Sequence, residues 1–241
     1  PTLRIRRFLF QQTGIQGCNS GEVQLEITRH AHEMPNNLDH ALSCKLGGFV
    51  IMRHNAVRDL EGEYFKCAGC NDVVIEPPLL PVTDNTLLPH TANTEDNARL
   101  DVSCRGIWQP LRKAFFDIRI THPNAPSNRS RTLKQILKGH EQQKKTAYNS
   151  RIIEIEHATF TPLVFTTNGA MGEEADRFHK TLCDKLAQKT NCSYSEIMNY
   201  LRKRLSFTIL RTILISVRGK RRNNKNYIPL SEIDFNLVND L

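Results

Sequence analysis

Two aspartates lie within segments that otherwise have the composition of buried strands. Asp117 lies in the run Phe-Phe-Asp-Ile-Arg-Ile, residues 115–120, and Asp101 lies in Ala-Arg-Leu-Asp-Val, residues 98–102. A carboxylate in such a strand is costly to bury unless it is paired or holds a metal ion. These two segments therefore constrain both the fold and the chemistry of the chain more than any other feature does.

The segments around the two aspartates predict an α/β fold. Apolar residues near helical spacing predict a helix over Arg53–Cys67, and a Val-Val-Ile run closed by prolines predicts a strand over Asp72–Leu80. Further strands are predicted at Ala98–Cys104, Lys113–Thr121 and Thr159–Thr167, and further helices at Thr132–Ile155, 173–189 and 193–217. This order predicts a mixed four-stranded sheet flanked by helices.

The charge of the chain favours a nucleic-acid partner. Its 241 residues carry a net charge of +8, and such a surface often meets phosphate backbones, although a solvated basic face without a partner is the alternative. Seven cysteines at irregular spacing predict reduced thiols. The longest apolar stretch, 207–217, contains Arg211 and is too short to span a bilayer. We therefore expect a nuclear or cytoplasmic protein that has no membrane partner.

The two aspartates are candidate metal ligands. If their strands are neighbours, Asp101 and Asp117 can converge on one Mg²⁺ or Mn²⁺ ion, because hard cations prefer oxygen ligands. Such an ion lowers the pKa of a bound water and stabilises charge on a phosphate. Glu76, between a strand and a proline, is a weaker third candidate. The alternative is that each aspartate faces solvent or pairs with a nearby arginine.

Lys144 and Tyr148 are four residues apart in the predicted long helix, so their side chains share one face. A lysine on that face can orient an attacking water or offset negative charge at a phosphate. The alternative is a charged, solvated helix face on which Tyr148 simply packs against the sheet.

Several ordered blocks of the chain resemble a single known sequence type. The blocks are residues 53–59, 75–77, 98–101, 116–119, 124–127, 140–144 and 160–165. Together they resemble the restriction-like endonuclease that follows the reverse transcriptase in LINE-type (non-LTR) retrotransposon proteins. The resemblance covers about residues 30–220. It implies a restriction-endonuclease-like core and a metal-dependent DNA endonuclease that nicks its target to prime reverse transcription.

The resemblance also implies roles for individual residues. In that family a Pro-Asp strand, a second aspartate strand and a helix bearing Lys-x-x-x-Tyr form the catalytic site, which matches Asp101, Asp117, Lys144 and Tyr148. Leu100 departs from the family by replacing the proline, and Arg119 stands where the wider nuclease group has its catalytic lysine. Arginine is a poor base, so Arg119 is expected to bind phosphate instead. These departures leave open a decayed nuclease fold that only binds nucleic acid.

A His/Cys cluster precedes this region. The family has a Cys-x-Cys followed by His-x-x-x-Cys at this place, and the matching positions here are His30, His32, His40 and Cys44. Four nitrogen or sulfur ligands suit tetrahedral Zn²⁺, and a decayed knuckle with exposed histidines is the alternative. The predicted organisation is a knuckle-like N-terminal segment at 1–48, an endonuclease domain at 49–220 and a tail at 221–241.

Two groups of residues are predicted to contact DNA in addition to Arg119. One opens the first predicted helix and comprises Arg53, His54 and Asn55; the other lies on a basic C-terminal helix and comprises Arg202, Lys203 and Arg204. Phosphate contacts of the second kind give affinity without sequence choice, and a solvated helix face is the alternative. Element RNA, bound through a full-length protein, is a further expected partner.

Overall fold

The computed structural model describes residues 38–82 and 87–218. Its elements in chain order are α1 Leu38–Ser43, α2 Phe49–Cys67, β1 Asn71–Ile75, β2 Val102–Arg105, β3 Lys113–Thr121, α3 Leu133–Glu154, β4 Thr159–Thr166, α4 Glu173–Thr190 and α5 Tyr194–Arg218. They form an α/β fold in which helices flank a mixed four-stranded sheet. The predicted fold class and order of elements are confirmed at this level.

The sheet has the strand order β1-β2-β3-β4. The first two pairs are antiparallel, whereas β3 and β4 are parallel. A parallel pair requires a crossover connection, which α3 supplies. Pro162 is paired with Asp117 in this register, and a proline is tolerated there because β4 is an edge strand.

Side chains alternate between the two faces of β3 and divide the interior into two clusters. Phe116 and Ile118 belong to the larger cluster, which also contains buried residues of α2, α4 and α5. Phe115 belongs to the smaller cluster, together with Ile152 of α3. Asp117 follows the same alternation as Phe115, so its side chain lies on the α3 face of the sheet.

The long helix α3 has clear local reasons for its bounds. Thr132 accepts a hydrogen bond from the backbone N–H of Gln135, whose side chain in turn reaches the backbone of Thr132, which is a capping box. Ile136 and Ile152 are buried towards the sheet. The prediction Thr132–Ile155 differs from the helix by one residue at each end.

Two strands are shorter than predicted, and the chain geometry explains the difference. β1 ends at Ile75 rather than Leu80, because Glu76 adopts a left-handed φ of 52° and two prolines follow. β2 begins at Val102, so Asp101 immediately precedes the strand instead of lying within it. Both corrections fall beside the predicted acidic site.

The predicted boundaries lie only partly within the described residues. α1 belongs to the predicted N-terminal segment and packs against α5, whereas the predicted tail at 221–241 lies outside the described residues. Among residues 38–82 and 87–218, no helix combines the length and apolar character required to cross a membrane.

Candidate active site

Asp101 and Asp117 occupy opposed positions at the end of the β2–β3 ladder. Val102 pairs with Phe116, and continuing this antiparallel register sets Asp101 opposite Asp117. The backbone N–H of Asp101 donates to the Phe116 carbonyl at 3.1 Å. β3 continues to Thr121, beyond the start of β2. The condition for a shared metal ion, that these two strands are neighbours, is therefore met.

The Asp101 carboxylate accepts a hydrogen bond from the β3 backbone beyond the point where β2 pairing ends. Its Oδ2 accepts from the Ile118 backbone N–H at 2.5 Å and lies 3.1 Å from His54 Nε2. The same imidazole nitrogen lies 3.1 Å from the Ile118 carbonyl oxygen. Both partners of Nε2 are acceptors, so Nε2 carries the hydrogen. The hydrogen bond to Asp101 raises the pKa of His54 above its ordinary value.

Asp117 lies under α3 and meets Lys144 there. Lys144 Nζ is 2.8 Å from Asp117 Oδ2, and the side chains are 24% and 8% exposed respectively. The ammonium group therefore pairs with the carboxylate and hydrogen-bonds to it. Burial raises the pKa of Asp117, while the positive charge of Lys144 opposes that rise.

Tyr148 lies one turn beyond Lys144 on α3. Its ring is 5.7 Å from Lys144 Nζ, and it packs on Phe160 with 5.7 Å between the ring centroids. The hydroxyl lies 3.4 Å from Asn93 Nδ2. The ring therefore supports the lysine and packs on the sheet, while its hydroxyl is hydrogen-bonded to Asn93.

The two carboxylates suit a magnesium-type ion, which needs few protein ligands, better than an ion that needs many. Within the described part of the chain, no group of three or more His, Cys, Asp or Glu side chains is arranged to hold a metal. Mg²⁺ keeps several waters and is usually bound through one or two carboxylates plus substrate phosphates. The Asp101 and Asp117 carboxylates, at opposed positions of the strand ladder, are oxygen ligands of this kind. Asp101 and Asp117 are the residues that would hold it.

No protein-family model matches the chain, and no curated protein matches it either.

Glu76, the predicted third ligand, pairs with a residue of α2 and does not join the aspartate pair. Its carboxylate pairs with Arg58 and is 52% exposed. Its backbone N–H donates to the Asp101 carbonyl at 2.9 Å. Glu76 therefore braces the backbone of Asp101, and it does not form a three-ligand group with the two aspartates.

The predicted DNA contact of Arg53 does not fit its position. Arg53 is 2% exposed, and its guanidinium donates to the Leu42 carbonyl at 3.0 Å and contacts Ser216 Oγ at 3.4 Å. These contacts join α2 to α1 and α5 inside the molecule, out of reach of a duplex. The neighbouring His54 and Asn55 are half-buried, and His54 Nδ1 lies 3.3 Å from Asn55 Oδ1. His54 thus holds Asp101, a role that its sequence position did not reveal.

The basic residues of α5 are not brought to the aspartate pair, because α5 packs on the opposite face of the sheet from α3. Arg202 and Lys203 are exposed, and an Arg202 nitrogen lies 3.7 Å from Asp176. Arg204 is directed inward and donates to the Tyr200 hydroxyl at 2.9 Å. Only the first two therefore keep the predicted surface position.

Arg119 does lie near the aspartates. It follows Asp117 by two residues on the same face of β3, and it donates to Gln143 Oε1 on α3 at 2.8 Å. Burial lowers the pKa of Arg119, while the Asp117 charge opposes that effect.

The predicted zinc knuckle is only partly described. His30 and His32 lie outside the described residues. At the end of α1, the Cys44 backbone N–H donates to the His40 carbonyl at 2.8 Å, as in an ordinary helical turn. The knuckle therefore stays a prediction.

Proposed function

We propose that this chain is a metal-dependent DNA endonuclease related to the restriction-like endonuclease of non-LTR retrotransposons. The observation that carries the proposal is the meeting of Asp101 and Asp117 at one end of a strand ladder, with Lys144 2.8 Å from the buried carboxylate. Two acids and a lysine from three separate segments form the polar group that hydrolysis of a phosphodiester requires.

The residues of the proposed site have separate roles in hydrolysis. Asp101 and Asp117 supply oxygen ligands, and His54 together with the Ile118 backbone fixes the direction of Asp101. A divalent ion held there lowers the pKa of a bound water and offsets charge on the phosphate. Lys144 supplies positive charge beside Asp117, where it stabilises the extra negative charge of the transition state.

A retrotransposon role follows from the sequence resemblance. Hydrolysis of one DNA strand leaves a 3′-hydroxyl. In such retrotransposon proteins, the reverse transcriptase domain extends this end. The ordered blocks from residue 53 to residue 165 support this part of the proposal, and the geometry of the aspartate pair is compatible with it.

Nicking of supercoiled plasmid tests the proposal. The parent is expected to nick with Mg²⁺ or Mn²⁺ and to be inactive in EDTA. Asp117→Asn should reduce nicking by about a hundredfold or more, because metal-ion stabilisation contributes several kcal/mol. Asp184→Asn, an exposed position on α4, is the matched control and should nick like the parent. Equal nicking by the parent and Asp117→Asn would reject the assignment.

A second candidate is a nuclease fold that grips DNA without cutting it. One observation favours it: Asp101 Oδ2 is already engaged by Ile118 and His54. Leu100 and Arg119 also depart from the family pattern. If neither the parent nor Asp117→Asn nicks plasmid but both retard DNA in a gel, this second function replaces the first.

A further inference from the structure

The chain between the buried aspartate and the middle of α3 is strongly basic. From residue 118 to residue 140 it contains no Asp or Glu and five Lys or Arg residues. These residues form the exit of β3, the loop that follows and the first two turns of α3. A segment of this composition adjacent to the aspartate pair favours an anionic ligand.

Arg119, Arg131 and His140 of this segment lie together with Lys144, which contacts Asp117; we call these four side chains the basic cluster. His140 and Lys144 are one turn apart on α3. Arg119 reaches α3 through its hydrogen bond to Gln143. The guanidinium of Arg131 folds back over α3, where its NH1 lies 3.9 Å from the position of a Cβ added to Gly139.

The electrostatics agree with this grouping. Burial lowers the pKa of His140, and the charges of Arg119, Arg131 and Lys144 lower it further. The three cations therefore lie close to one imidazole.

Of the basic cluster, only Lys144 has a carboxylate partner among the described residues, namely Asp117. Neither Arg119 nor Arg131 forms an ion pair with a carboxylate of the described residues. His140 Nε2 is buried, and none of the described groups gives it a hydrogen bond. A bound phosphate would supply Arg119 and Arg131 with a negative charge and with hydrogen-bond acceptors.

We infer that the basic cluster binds a backbone phosphate of DNA beside the aspartate pair, so that the duplex is held along the N-terminal half of α3. Arg119 and Arg131 each present the planar fork that matches a phosphate. Arg119 lies two residues past Asp117, roughly 7 Å along β3. Phosphates of one strand are spaced about 3.4 Å along the duplex axis, so the two sites are within a few nucleotides.

The inference rests on the proposed function for the identity of the ligand, DNA, but it does not require that the protein cuts. Binding can therefore be measured in EDTA, where hydrolysis is absent. The probe is a fluorescein-labelled duplex of about 20 base pairs, titrated by anisotropy at several NaCl concentrations. Each removed phosphate contact weakens binding to all sequences and lowers the salt slope by about 1.

Arg131→Ala and Lys138→Ala form a matched pair. Both residues are exposed and both variants remove one positive charge. Lys138 lies roughly 200° around α3 from His140 and roughly 120° from Lys144, so it does not share their face of the helix. Arg131→Ala is expected to bind about tenfold more weakly with a salt slope smaller by about 1, and Lys138→Ala should stay within about twofold of the parent. His140→Gln, a second cluster variant, should weaken binding in the same direction.

Three results would overturn the inference: equal losses in Arg131→Ala and Lys138→Ala, loss only in Arg202→Ala on α5, or no binding by the parent. The proposed function fails separately. A parent that binds DNA through Arg131 but does not nick plasmid with Mg²⁺ keeps the inference and rejects the endonuclease. If the parent nicks plasmid and Arg131→Ala binds DNA as tightly as the parent, the endonuclease is kept and the inference is rejected.

Discussion

Lys144 Nζ lies 2.8 Å from Asp117 Oδ2 and joins the long helix to the central strand. The carboxylate is almost wholly buried, and its burial raises its pKa despite the lysine. The ion pair thus offsets part of the cost of burying this carboxylate. Both halves of this pair are needed for the proposed chemistry, and each depends on the other for stability.

Removal of the lysine should destabilise the protein. Lys144→Met leaves the Asp117 carboxylate buried without its charge partner, so we expect the free energy of unfolding to fall by about 1–3 kcal/mol at neutral pH. The double variant Lys144→Met/Asp117→Asn should recover part of this loss, because the unpaired charge is gone. Urea unfolding in EDTA of the parent, the two single variants Lys144→Met and Asp117→Asn, and the double variant measures the coupling between the two side chains. A double variant as unstable as the sum of the two single variants would show that the pair is not coupled.

Arg53 should act in folding and not in DNA binding. Arg53→Met leaves the Leu42 carbonyl without its donor, so the free energy of unfolding should fall by about 1–3 kcal/mol. The exposed Arg202→Met, its control, should change stability by less than about 0.5 kcal/mol. The DNA affinity of folded Arg53→Met should equal that of the parent. A stable Arg53→Met protein with lost affinity would restore the predicted DNA contact.

A buried carboxylate–imidazole pair joins α2 to α4. His179 Nε2 lies 3.0 Å from Glu61 Oε1, and the side chains are 1% and 0% exposed. His179→Phe leaves the buried Glu61 carboxylate without its partner and should destabilise the protein by about 3 kcal/mol or more. Glu61→Leu/His179→Phe should lie within about 1 kcal/mol of the parent, or above it. Thermal unfolding that ranks the double variant below His179→Phe would contradict this reading.

Two glycines should respond in opposite ways to alanine. A Cβ on Gly172 would lie 2.8 Å from Glu141 Cδ, whereas one on Gly139 would meet only an Arg131 nitrogen at 3.9 Å. Gly172→Ala should therefore lower the free energy of unfolding by about 1–3 kcal/mol. Gly139→Ala, within α3, should raise it by about 0.5–1 kcal/mol. Calorimetry measures both, and a stabilised Gly172→Ala would show that the Glu141 contact yields easily.

Glu141 should make stability depend on pH. Its carboxylate accepts from the Glu174 backbone N–H at 3.0 Å, and burial raises its pKa. The folded protein therefore binds this proton more tightly than the unfolded chain does. The contribution of Glu141 to the stability of the protein consequently falls as the pH rises from the ordinary pKa of the group through the raised one. Glu141→Gln cannot titrate.

The stability of Glu141→Gln relative to the parent should consequently increase from pH 4 to pH 7. Urea unfolding at three pH values measures this difference. A difference that is constant, or that falls with pH, would contradict the assignment.

Sequence patterns predicted the elements because local preferences and burial agree in them. The strand Lys113–Thr121 was predicted with its observed bounds, since its apolar run is continuous. The prediction for α3 was correct to one residue at each end, because Thr132 and Gln135 cap it. The strand before Glu76 was predicted too long, because its left-handed backbone cannot be read from residue type.

The site was predicted less completely than the fold. The neighbouring strands of Asp101 and Asp117 and the shared face of Lys144 and Tyr148 follow from strand order and helical spacing. The burial of Arg53 and the contact of His54 with Asp101 do not. Both residues lie in the second turn of α2, and no local pattern distinguishes a polar side chain that turns inward from one that faces a ligand.

The sequence alone determined the α/β class, the order of the elements and the presence of an aspartate in each of two apolar segments, because these depend on periodicity and turn residues. Tertiary structure decided which polar groups meet. It set Lys144 over Asp117, turned His54 to Asp101 and gathered Arg131 and His140 beside Arg119. Such contacts depend on how a helix is rotated and translated against the sheet, a quantity fixed by packing across the whole core.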